Sequence, residues 1–514
     1  MRPAQMCGKG NKTMTDTTRS SVPRKILVGG KWIESRSARF ESVTDPTTNE
    51  VIGRVPLCSK SETDAAIEAA AKAFEIWRDV PAPRRAAILF KYQNILLREQ
   101  NNLAHLVSQE HGKVLSDAAG SVRRGIDMVE FATGVPSLMQ GRTLEDVSSQ
   151  MDCHSWRQPL GVCAAICPFN FPVMVPMWFA PIAIACGNAF VLKPSEKTPL
   201  TSLRMAELFE EAGLPPGVLN VVTGDKEAVD ALIENPTVKS LSFVGSTPVA
   251  RYIYENGSKH GKRVQALAGA KNHLVAMPDA NIQETVAALI SSAFGSAGER
   301  CMAISVCVTV GDVAEPLLKR LVEETRKLRV GPGTDPASEM GPLVTREHMA
   351  RVLRYIDIGA REGASLLADG RGYKVQGYPE GNWVGPTIFD NVNPSMTIYK
   401  EEIFGPVLCV VRVNTFDEAL NLINANPFGN GTAIFTSDGM TARTFRKKVQ
   451  VGMIGVNVAI PVPLAFFPFT GWKDSFFGTL HAHGQDGVLF FTEQKIVTSR
   501  WFDEKSDAKK RMSI

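Results

Sequence analysis

The sequence predicts an α/β fold with two units, the first built on a doubly wound parallel sheet. Two observations carry this prediction. Short apolar runs alternate with amphipathic helical patterns from Gly161 onward, and the alternation restarts near His273. A chain of 514 residues is also long enough for two or three cores.

Two long helical patterns precede the first sheet, over residues 61–79 and 84–112. Ser61 is the candidate N-cap of the first pattern, because a Ser side chain accepts a hydrogen bond from a free backbone N–H at a helix start. A third helical stretch, over residues 120–132, carries the pair Arg123-Arg124.

The first unit begins with an apolar strand over residues 162–166 and a Pro-rich helical stretch that reaches Cys186. Its further strands are expected over residues 189–193, 218–222, 240–244 and 263–268, and its helices over residues 198–213, 226–235 and 248–261.

The second unit repeats the alternation. Its strands are expected over residues 273–277, 304–310, 405–413, 431–437 and 453–458, and its helices over residues 284–294, 314–328 and 416–425. The tail over residues 487–501 alternates like a strand that leaves the main body.

Composition narrows the class of protein. The net charge of +4 is spread along the chain, and no basic run is interleaved with aromatic residues as in a nucleic-acid groove. The longest apolar segment, residues 171–186, is interrupted by three prolines, so no membrane span is expected. Small-molecule partners fit this composition better.

The cysteine count and the N-terminus bear on location. Nine cysteines, an odd number without paired spacing, indicate a reducing compartment, either a bacterial cytoplasm or a mitochondrial matrix. Cys163 and Cys167 flank an apolar run and are expected in the core. Residues 1–24 are polar and lack the apolar segment of a secretory signal; they are either a plain extension, with Met14 as an alternative start, or a weak transit peptide.

The usual phosphate-binding fingerprints are missing, because neither a G-x-G-x-x-G nor a Walker lysine loop occurs. The strand over residues 240–244 instead ends in Gly245-Ser246-Thr247 just before a helix, where free N–H groups and a hydroxyl suit a pyrophosphate. A simple N-cap after a glycine turn explains the same residues.

The strand over residues 189–193 ends in Lys193-Pro194-Ser195-Glu196, at the sheet edge where open α/β folds bind ligands. A Lys and a Glu at that edge would bind ribose hydroxyls, and the carboxylate would favour NAD over NADP. A surface ion pair that caps the next helix is the alternative.

Two side chains are candidates for covalent chemistry. Asn170, in a loop after the first strand, is a candidate oxyanion donor, although loop Asn residues usually bond to their own backbone. Cys301 follows a run of small residues, and the adjacent Arg300 would lower its pKa or bind an anion. A buried structural thiol is the alternative for a single cysteine.

Taken together, the motifs resemble those of the aldehyde dehydrogenase superfamily from about Lys25 to Trp501. The matching stretches, in order, are "PFNFP", "GNAFVLKPSEKTP", "FVGST", "GERC", "EEIFGPV" and "NPFGNGTAIFTSD". The resemblance implies a Cys301 thiolate nucleophile and an oxyanion hole formed by Asn170 and the Cys301 N–H. It also implies an NAD site formed by Cys167, Phe169, Lys193, Glu196, Lys197, Gly245, Ser246, Ala268, Glu402 and Phe404, and no metal.

The resemblance also implies a domain division. A Rossmann-like NAD-binding domain is expected over residues 25–146 and 168–270, and an α/β catalytic domain over residues 271–480. A small β oligomerisation element is expected over residues 147–167 and 481–505, with the strand near Ser155 paired to the tail. Because such edge-prone strands usually pair with another subunit, a homodimer or homotetramer is expected.

One departure from the superfamily matters for the reaction. Most members carry a glutamate in an "ELGGK" stretch that activates water, whereas this chain reads Leu267-Ala268-Gly269-Ala270-Lys271. Without a general base, water is a poor nucleophile towards a thioester, and a thiol is a far better one. The stretches "GAKNH", "RCMA", "NVAIPVP" and "FFGTLHAHGQDGVLFFTEQKIVTSRW" resemble the CoA-acylating methylmalonate-semialdehyde dehydrogenase branch.

That branch uses NAD and CoA to convert methylmalonate or malonate semialdehyde to propionyl-CoA or acetyl-CoA and CO2. Arg124 and Arg300 match its substrate-binding arginines, which would clamp the substrate carboxylate. For Arg124 alone, a surface salt bridge is the alternative. The stretch "AFFPFTGW" differs locally from the branch and affects the expected acyl pocket.

Other functions remain open at this stage. A hydrolytic aldehyde dehydrogenase for another aldehyde would share the fold, and so would a non-catalytic NAD-binding protein. Glu299 is a conceivable replacement base, but it is expected to be turned away or paired, because its side chain and that of Arg300 cannot easily both face the thioester.

Overall fold

The computed structural model describes residues 22–502. Most of the extension expected over residues 1–24, and residues 503–505 of the tail, therefore lie outside the described residues. Within residues 22–502, no helix is both long and apolar enough to cross a membrane.

The strands are numbered in chain order. The first eleven are β1 (Ile26–Val28), β2 (Lys31–Ile33), β3 (Phe40–Thr44), β4 (Val51–Pro56), β5 (Thr143–Ser148), β6 (Met151–Pro159), β7 (Val162–Ile166), β8 (Ala189–Lys193), β9 (Leu219–Val221), β10 (Val238–Val244) and β11 (Arg263–Leu267). The others are β12 (Asn272–Ala276), β13 (Ile304–Val310), β14 (Ser365–Ala368), β15 (Thr387–Asp390), β16 (Val407–Val413), β17 (Phe428–Gly429), β18 (Gly431–Phe435), β19 (Met453–Val456), β20 (Trp472–Lys473), β21 (Phe476–Phe477) and β22 (Thr492–Arg500).

The helices are named by their bounds. The α-helices span Lys60–Trp77, Ala82–His111, Leu115–Thr133, Val135–Leu138, Met174–Ala185, Leu200–Glu211, Lys226–Glu234, Thr247–Lys259, Ile282–Phe294, Ala314–Thr325, Arg346–Arg361, Thr397–Lys400, Phe416–Ala425, Gly439–Lys448 and Gly484–Phe490. Two 3₁₀ helices span Gly295–Gly298 and Gly311–Val313.

The first sheet has the order β2-β1-β9-β8-β7-β10-β11-β21. Its five central strands are parallel. Strand β1 pairs antiparallel with β9, β2 pairs antiparallel with β1, and β21 pairs antiparallel with β11. The doubly wound sheet predicted for the first unit is confirmed. The chain passes from β7 to β8 and β9 on one side and returns to β10 on the other, so a topological switch point lies between β7 and β10.

The second sheet has the order β14-β15-β16-β13-β12-β18-β19. All neighbouring strands are parallel except β14, which is antiparallel to β15. Each sheet is covered by helices, and each helps to form its own hydrophobic core. The second α/β unit is thus also confirmed.

The third sheet contains β22, β6 and β5. Strand β22 pairs antiparallel with β6 along its whole length, from Thr492 opposite Pro159 to Arg500 opposite Met151. The predicted pairing of the tail with the strand near Ser155 is confirmed, and it occurs within one chain. The name projecting sheet is used below for these three strands.

The expected bounds of the projecting sheet need two corrections. The expected division assigned strand β7 to the oligomerisation element. The structure places β7 between β8 and β10 in the first sheet, because its five residues are all apolar and favour a buried position. Residues 487–490, the start of the strand predicted over residues 487–501, belong to helix Gly484–Phe490 instead. The Arg263 guanidinium satisfies the carbonyls of Leu489 and Phe490 at the end of that helix.

The first helix also begins earlier than expected. Its N-cap is Ser59, not Ser61, since Ser59 and Glu62 form a reciprocal capping box in which each side chain bonds the other's backbone N–H. Ser61 also has an acidic residue three positions later, Asp64, but the Asp64 side chain accepts a hydrogen bond from Asn235 Nδ2 instead of closing a capping box.

Candidate active site

The switch point brings two loops together at the carboxyl edge of the first sheet. The loop after β7 carries Phe169 and Asn170, and the turn after β10 carries Gly245 and Ser246. Ser246 is the N-cap of helix Thr247–Lys259, but its side chain makes no capping hydrogen bond. The hydroxyl therefore remains available at a helix N-terminus, where an anion is favoured.

The cysteine turn is the segment 295–301 that follows helix Ile282–Phe294. Ser296, Ala297 and Gly298 all have positive φ, at 54°, 51° and 72°. A Cβ at Gly298 would lie 2.2 Å from the carbonyl oxygen of Gly405, so only glycine fits there. This turn reverses the chain and presents Cys301, whose carbonyl accepts hydrogen bonds from the side-chain amides of Asn272 and Asn430.

Asn170 faces the cysteine turn. Its side chain is buried, and Nδ2 donates to the backbone carbonyl of Glu299 at 3.1 Å. It thus bonds a distant segment rather than its own loop, which was the alternative. Because an amide nitrogen carries two N–H groups, the second remains without an acceptor among the described residues.

A cavity of about 300 Å³ opens beside the thiol and is called the acyl cavity below. Its lining contains both polar and apolar side chains. Its lining residues are Lys113, Ser116, Asp117, Gly120, Ser121, Arg124, Phe171, Met174, Arg300, Cys301, Met302, Ile460, Val462 and Phe469. The structure thus brings Cys301 together with both predicted arginines and with Phe469 of the divergent "AFFPFTGW" stretch.

The two arginines differ in their pairing. Arg300 donates to Asp117 at 2.5 Å and to the carbonyl of Ser291 at 3.2 Å, and its guanidinium packs against Gly295. Among the described residues, the Arg124 guanidinium has no hydrogen bond or ion pair, whereas Arg123 pairs with Asp127 at the surface. Arg124 therefore supplies an unpaired guanidinium to the acyl cavity.

The state of the Cys301 thiol is set by burial. Desolvation, followed by the negative charge of Glu402, raises the pKa of Cys301 to about 12. The opposing influences come from the backbone N–H groups of Cys301 and Met302 and from the charge of Lys113. Arg300, which was expected to lower this pKa, is instead occupied by Asp117.

Lys113 is the site residue that the sequence pattern missed. Its side chain is buried, Nζ donates to the backbone carbonyl of Asn170 at 2.6 Å, and it lies 4.0 Å from the Phe171 ring centroid. Desolvation lowers its pKa to about 7. The available signal was weak: Lys113 follows Gly112, the left-handed C-cap of helix Ala82–His111, and only the tertiary fold places it beside Asn170.

The Lys193–Glu196 pair is not the surface ion pair considered as the alternative. Lys193 is buried, and its Nζ lies 3.0 Å from Glu196 Oε2. The carbonyl of Lys193 accepts a hydrogen bond from the N–H of Cys167, which joins the ends of β7 and β8. Cys163 and Cys167 are both buried, as expected for core residues.

Of the remaining cofactor candidates, Glu402 and Phe404 line a second, narrow pocket that also reaches Cys301 and Ala270. Phe169 packs edge-on against Phe404 with ring centroids 5.8 Å apart, and Lys197 Nζ lies 5.3 Å from the Phe169 ring. Burial raises the pKa of Glu402 to about 7, although its Oε1 accepts the Ala270 N–H.

Ala268 is placed less favourably for a ligand. It is buried, and its N–H donates to the carbonyl of Ser475 at 2.9 Å, so this N–H is not available to a ligand. Next to it, a Cβ at Gly269 would lie 2.7 Å from both Glu402 Oε2 and Thr247 Oγ1. Close packing around this strand end therefore requires small residues.

Neither candidate position supplies a base to the acyl cavity. Leu267, where the resemblance places the missing glutamate, is buried at the end of β11. The Glu299 side chain is fully buried, accepts the Val344 N–H at 3.2 Å and lies near His111 and His348. The expectation that Glu299 is turned away or paired is confirmed.

Comparison with known proteins places these features in context. Residues 32–497 match the sequence model of the aldehyde dehydrogenase family. The chain is 52% identical over 478 residues to malonate-semialdehyde dehydrogenase 2 of Geobacillus kaustophilus (strain HTA426), which covers 93% of this chain and 98% of that protein.

Two crystal structures are also similar. A candidate methylmalonate-semialdehyde dehydrogenase from Sinorhizobium meliloti 1021, solved with NAD, has a TM-score of 0.93 at 48% identity and covers 95% of this chain and 99% of that chain. Methylmalonate-semialdehyde dehydrogenase from Oceanimonas doudoroffii has a TM-score of 0.92 at 49% identity and covers 94% and 99% of the two chains.

Proposed function

This chain belongs to the aldehyde dehydrogenase family, and we propose that it oxidises malonate or methylmalonate semialdehyde with NAD and CoA, releasing CO2 and acetyl-CoA or propionyl-CoA. One observation carries the proposal: the acyl cavity holds a thiol and an unpaired guanidinium, while its one lining carboxylate, Asp117, is engaged by Arg300. The cavity suits a short aldehyde that carries its own carboxylate.

The first step is addition of the Cys301 sulfur to the aldehyde carbon. The aldehyde oxygen becomes an oxyanion, which the second N–H of Asn170 and the backbone N–H of Cys301 stabilise. Asn170 is already held by Glu299 and Lys113, so little reorganisation is required when the charge develops.

The residues around the switch point fit NAD. The Lys193–Glu196 pair, in which Lys193 is buried and Glu196 is half-buried, and the free Ser246 hydroxyl at a helix start place polar groups at the carboxyl edge of the sheet. When bound, NAD supplies the acceptor for the hydride that leaves the substrate carbon. Phe169, Lys197, Gly245, Glu402, Phe404 and Cys167 complete the proposed cofactor site, with Ala268 contributing packing only.

The resulting thioester requires a nucleophile. Leu267 occupies the position of the usual glutamate, and no lining residue of the acyl cavity offers an unpaired carboxylate to activate water. A thiol is a stronger nucleophile than water, so CoA is the proposed acyl acceptor. The carboxylate of the substrate is bound by Arg124, with Arg300 beside it held in place by Asp117.

The test compares turnover with and without CoA. Purified protein, NAD and malonate semialdehyde are expected to give one burst of NADH per site without CoA, and sustained NADH and acetyl-CoA formation with CoA. Mass spectrometry identifies the product and stopped-flow absorbance resolves the burst. Equal turnover to the free acid without CoA would contradict the proposal and favour a hydrolytic enzyme.

If the protein is not catalytic, the same assay has a third outcome. In that case no NADH forms from any aldehyde, and Cys301 reacts with iodoacetamide no faster than an ordinary free thiol at neutral pH. Comparison of methylmalonate with malonate semialdehyde in the same assay determines which substrate is preferred.

A further inference from the structure

Lys113 is an ionisable side chain of the acyl cavity whose role in the proposed thiol addition is only to hold the Asn170 carbonyl. Its Nζ lies 2.6 Å from the carbonyl of Asn170, the residue that binds the oxyanion, and it shares the cavity wall with Cys301. An ammonium carries three N–H groups, and among the described residues only the Asn170 carbonyl accepts one of them. Two N–H groups therefore remain for a ligand in the cavity.

The other ionisable groups of the acyl cavity are less suited to carry a proton during the acyl stage. Arg124 and Arg300 stay protonated. Asp117 is bound by Arg300 at 2.5 Å, and Cys301 carries the acyl group during this stage. Glu402 reaches Cys301 from the narrow pocket and is not among the lining residues of the acyl cavity. Lys113 alone combines access to the acyl group with the ability to release and regain a proton.

We propose that Lys113 carries the proton of the acyl stage: it protonates the carbon from which CO2 departs and then accepts the proton of the incoming CoA thiol. This inference rests on the proposed function. It extends that function, because it assigns a group to the two proton transfers that decarboxylation and acyl transfer require.

The bonds and charges balance. The C–C bond to the carboxylate breaks, its electron pair remains as a thioester enolate, and CO2 leaves. The enolate oxygen is held by Asn170, and the α-carbon takes a proton from the Lys113 ammonium, which becomes an amine. The amine then takes the proton of the CoA thiol, the thiolate attacks the acyl carbon, and Cys301 leaves as a thiolate. The ammonium is thereby restored.

The surroundings of Lys113 are consistent with both protonation states. Groups from its own helix end, from helix Leu115–Thr133 and from the cysteine turn act on it. They are His111, Asp117, Glu299, Arg300 and Cys301. Desolvation is the largest influence and lowers the pKa of Lys113, as does the charge of Arg300. The acidic groups oppose this change, and the net result is a lowered pKa of about 7. A group with this pKa donates and accepts protons with similar ease at neutral pH.

Lys113 also anchors the Asn170 backbone, so the test separates this positioning role from proton transfer. Lys113→Arg keeps a cation that donates to the Asn170 carbonyl, but a guanidinium does not release its proton. Lys262→Arg is the matched control. Lys262 is also a buried lysine that donates to backbone carbonyls, those of Asn235 and Val238, outside the acyl cavity.

For Lys113→Arg, the NADH burst is expected to stay within about threefold of the unmodified protein, because the oxyanion donor remains anchored. Formation of propionyl-CoA from methylmalonate semialdehyde is expected to fall by about 10²–10⁴-fold, the usual contribution of a general acid–base group. Lys262→Arg is expected to change neither quantity.

Deuterium labelling adds a readout that an anchoring role does not affect. In D₂O the unmodified protein is expected to place deuterium on one face of C2 of propionyl-CoA, since Lys113 delivers it from one side. The residual product of Lys113→Arg is expected to carry label on both faces. For Lys113→Ala, ethylamine is expected to restore propionyl-CoA formation.

Three outcomes would overturn the inference. They are undiminished propionyl-CoA formation by Lys113→Arg, one-sided labelling in its product, or loss of the NADH burst in the same proportion as loss of propionyl-CoA. The last result would assign Lys113 to positioning alone. If the unmodified protein instead shows no dependence on CoA, the proposed function fails first, so the two failures are distinguishable.

Discussion

Cys301 depends on its neighbours for reactivity. Its thiol is desolvated and has a raised pKa of about 12, while Lys113 and two backbone N–H groups favour the thiolate. Arg300, the residue next to it in sequence, is bound to Asp117. Adjacency in sequence therefore does not identify the group that acts on the nucleophile.

Replacement of the thiol tests its role. Cys301→Ala is expected to lower NADH formation by roughly 10⁴-fold or more, since no other nucleophile is present to form the thioester. NAD binding, measured by fluorescence quenching, is expected to persist. Cys153→Ala, in the projecting sheet, is the control and should retain full activity; a similar loss in both variants would argue against a specific role for Cys301.

Substitution of Leu267 tests whether the missing glutamate at this position prevents hydrolysis of the thioester. Leu267→Glu is expected to raise CoA-independent turnover by about 10²-fold, because burial at the end of β11 would raise the pKa of the new carboxyl group towards neutrality. Leu267→Gln has a similar size and no carboxylate, and should give no increase. An equal rate for the two variants, measured as NADH formation without CoA, would count against the proposed role of this position.

At the scale of elements, the cysteine turn shows how a short segment is forced into one path. Three consecutive residues adopt positive φ between helix Ile282–Phe294 and Cys301, and Gly298 packs against the Gly405 carbonyl. The positive φ angles in this 3₁₀ segment cost free energy, and the surrounding packing offsets that cost. The geometry of Cys301 is thereby tied to the segment that carries Phe404.

Gly298→Ala is expected to lower the free energy of unfolding by about 1–3 kcal/mol and to reduce activity, because the new Cβ meets the Gly405 carbonyl and the residue has a φ of 72°. The control is Gly363→Ala. Gly363 has a φ of 90° but no heavy atom within 4 Å of a new Cβ, so it incurs only the backbone strain. Urea unfolding and NADH assays compare the two; a larger loss for Gly363→Ala would contradict the steric explanation.

At the scale of the whole molecule, the projecting sheet exposes apolar side chains. Leu144, Trp156, Ile496 and Trp501 are all exposed. Such a surface on an open sheet favours association with a second subunit, which supports the predicted homodimer or homotetramer. The full domain division likewise stays a prediction, apart from the two corrected boundaries.

Ile496→Asp is expected to shift the protein to a smaller assembly, because it places a charge on the exposed face of β22 opposite Ser155. Light scattering after size-exclusion chromatography measures the mass. Met440→Asp replaces an equally exposed apolar side chain on helix Gly439–Lys448 and should leave the mass unchanged. A monomeric unmodified protein would contradict the prediction of an oligomer.

The sequence by itself predicted most strands and helices of both α/β units in their order, but not helices Arg346–Arg361 and Gly439–Lys448 or strand β15. The predicted bounds agree with the structure to within a few residues, because local hydrophobic periodicity reflects burial directly. The short edge strands β1, β2, β14 and β21 lack such a pattern, since a strand of two to four residues shows too few alternations. Motifs in the sequence also identified the family and predicted Cys301 and Asn170 as site residues.

Only the tertiary structure decided which side chains meet. Lys113 reaches Asn170 across 57 residues of chain, and Arg300 reaches Asp117 across 183, distances over which sequence periodicity carries no information. Helices and loops from distant parts of the chain bring polar and apolar side chains together around the thiol. Proton exchange in that cavity depends on desolvation, and desolvation is a property of the packed structure rather than of any one segment.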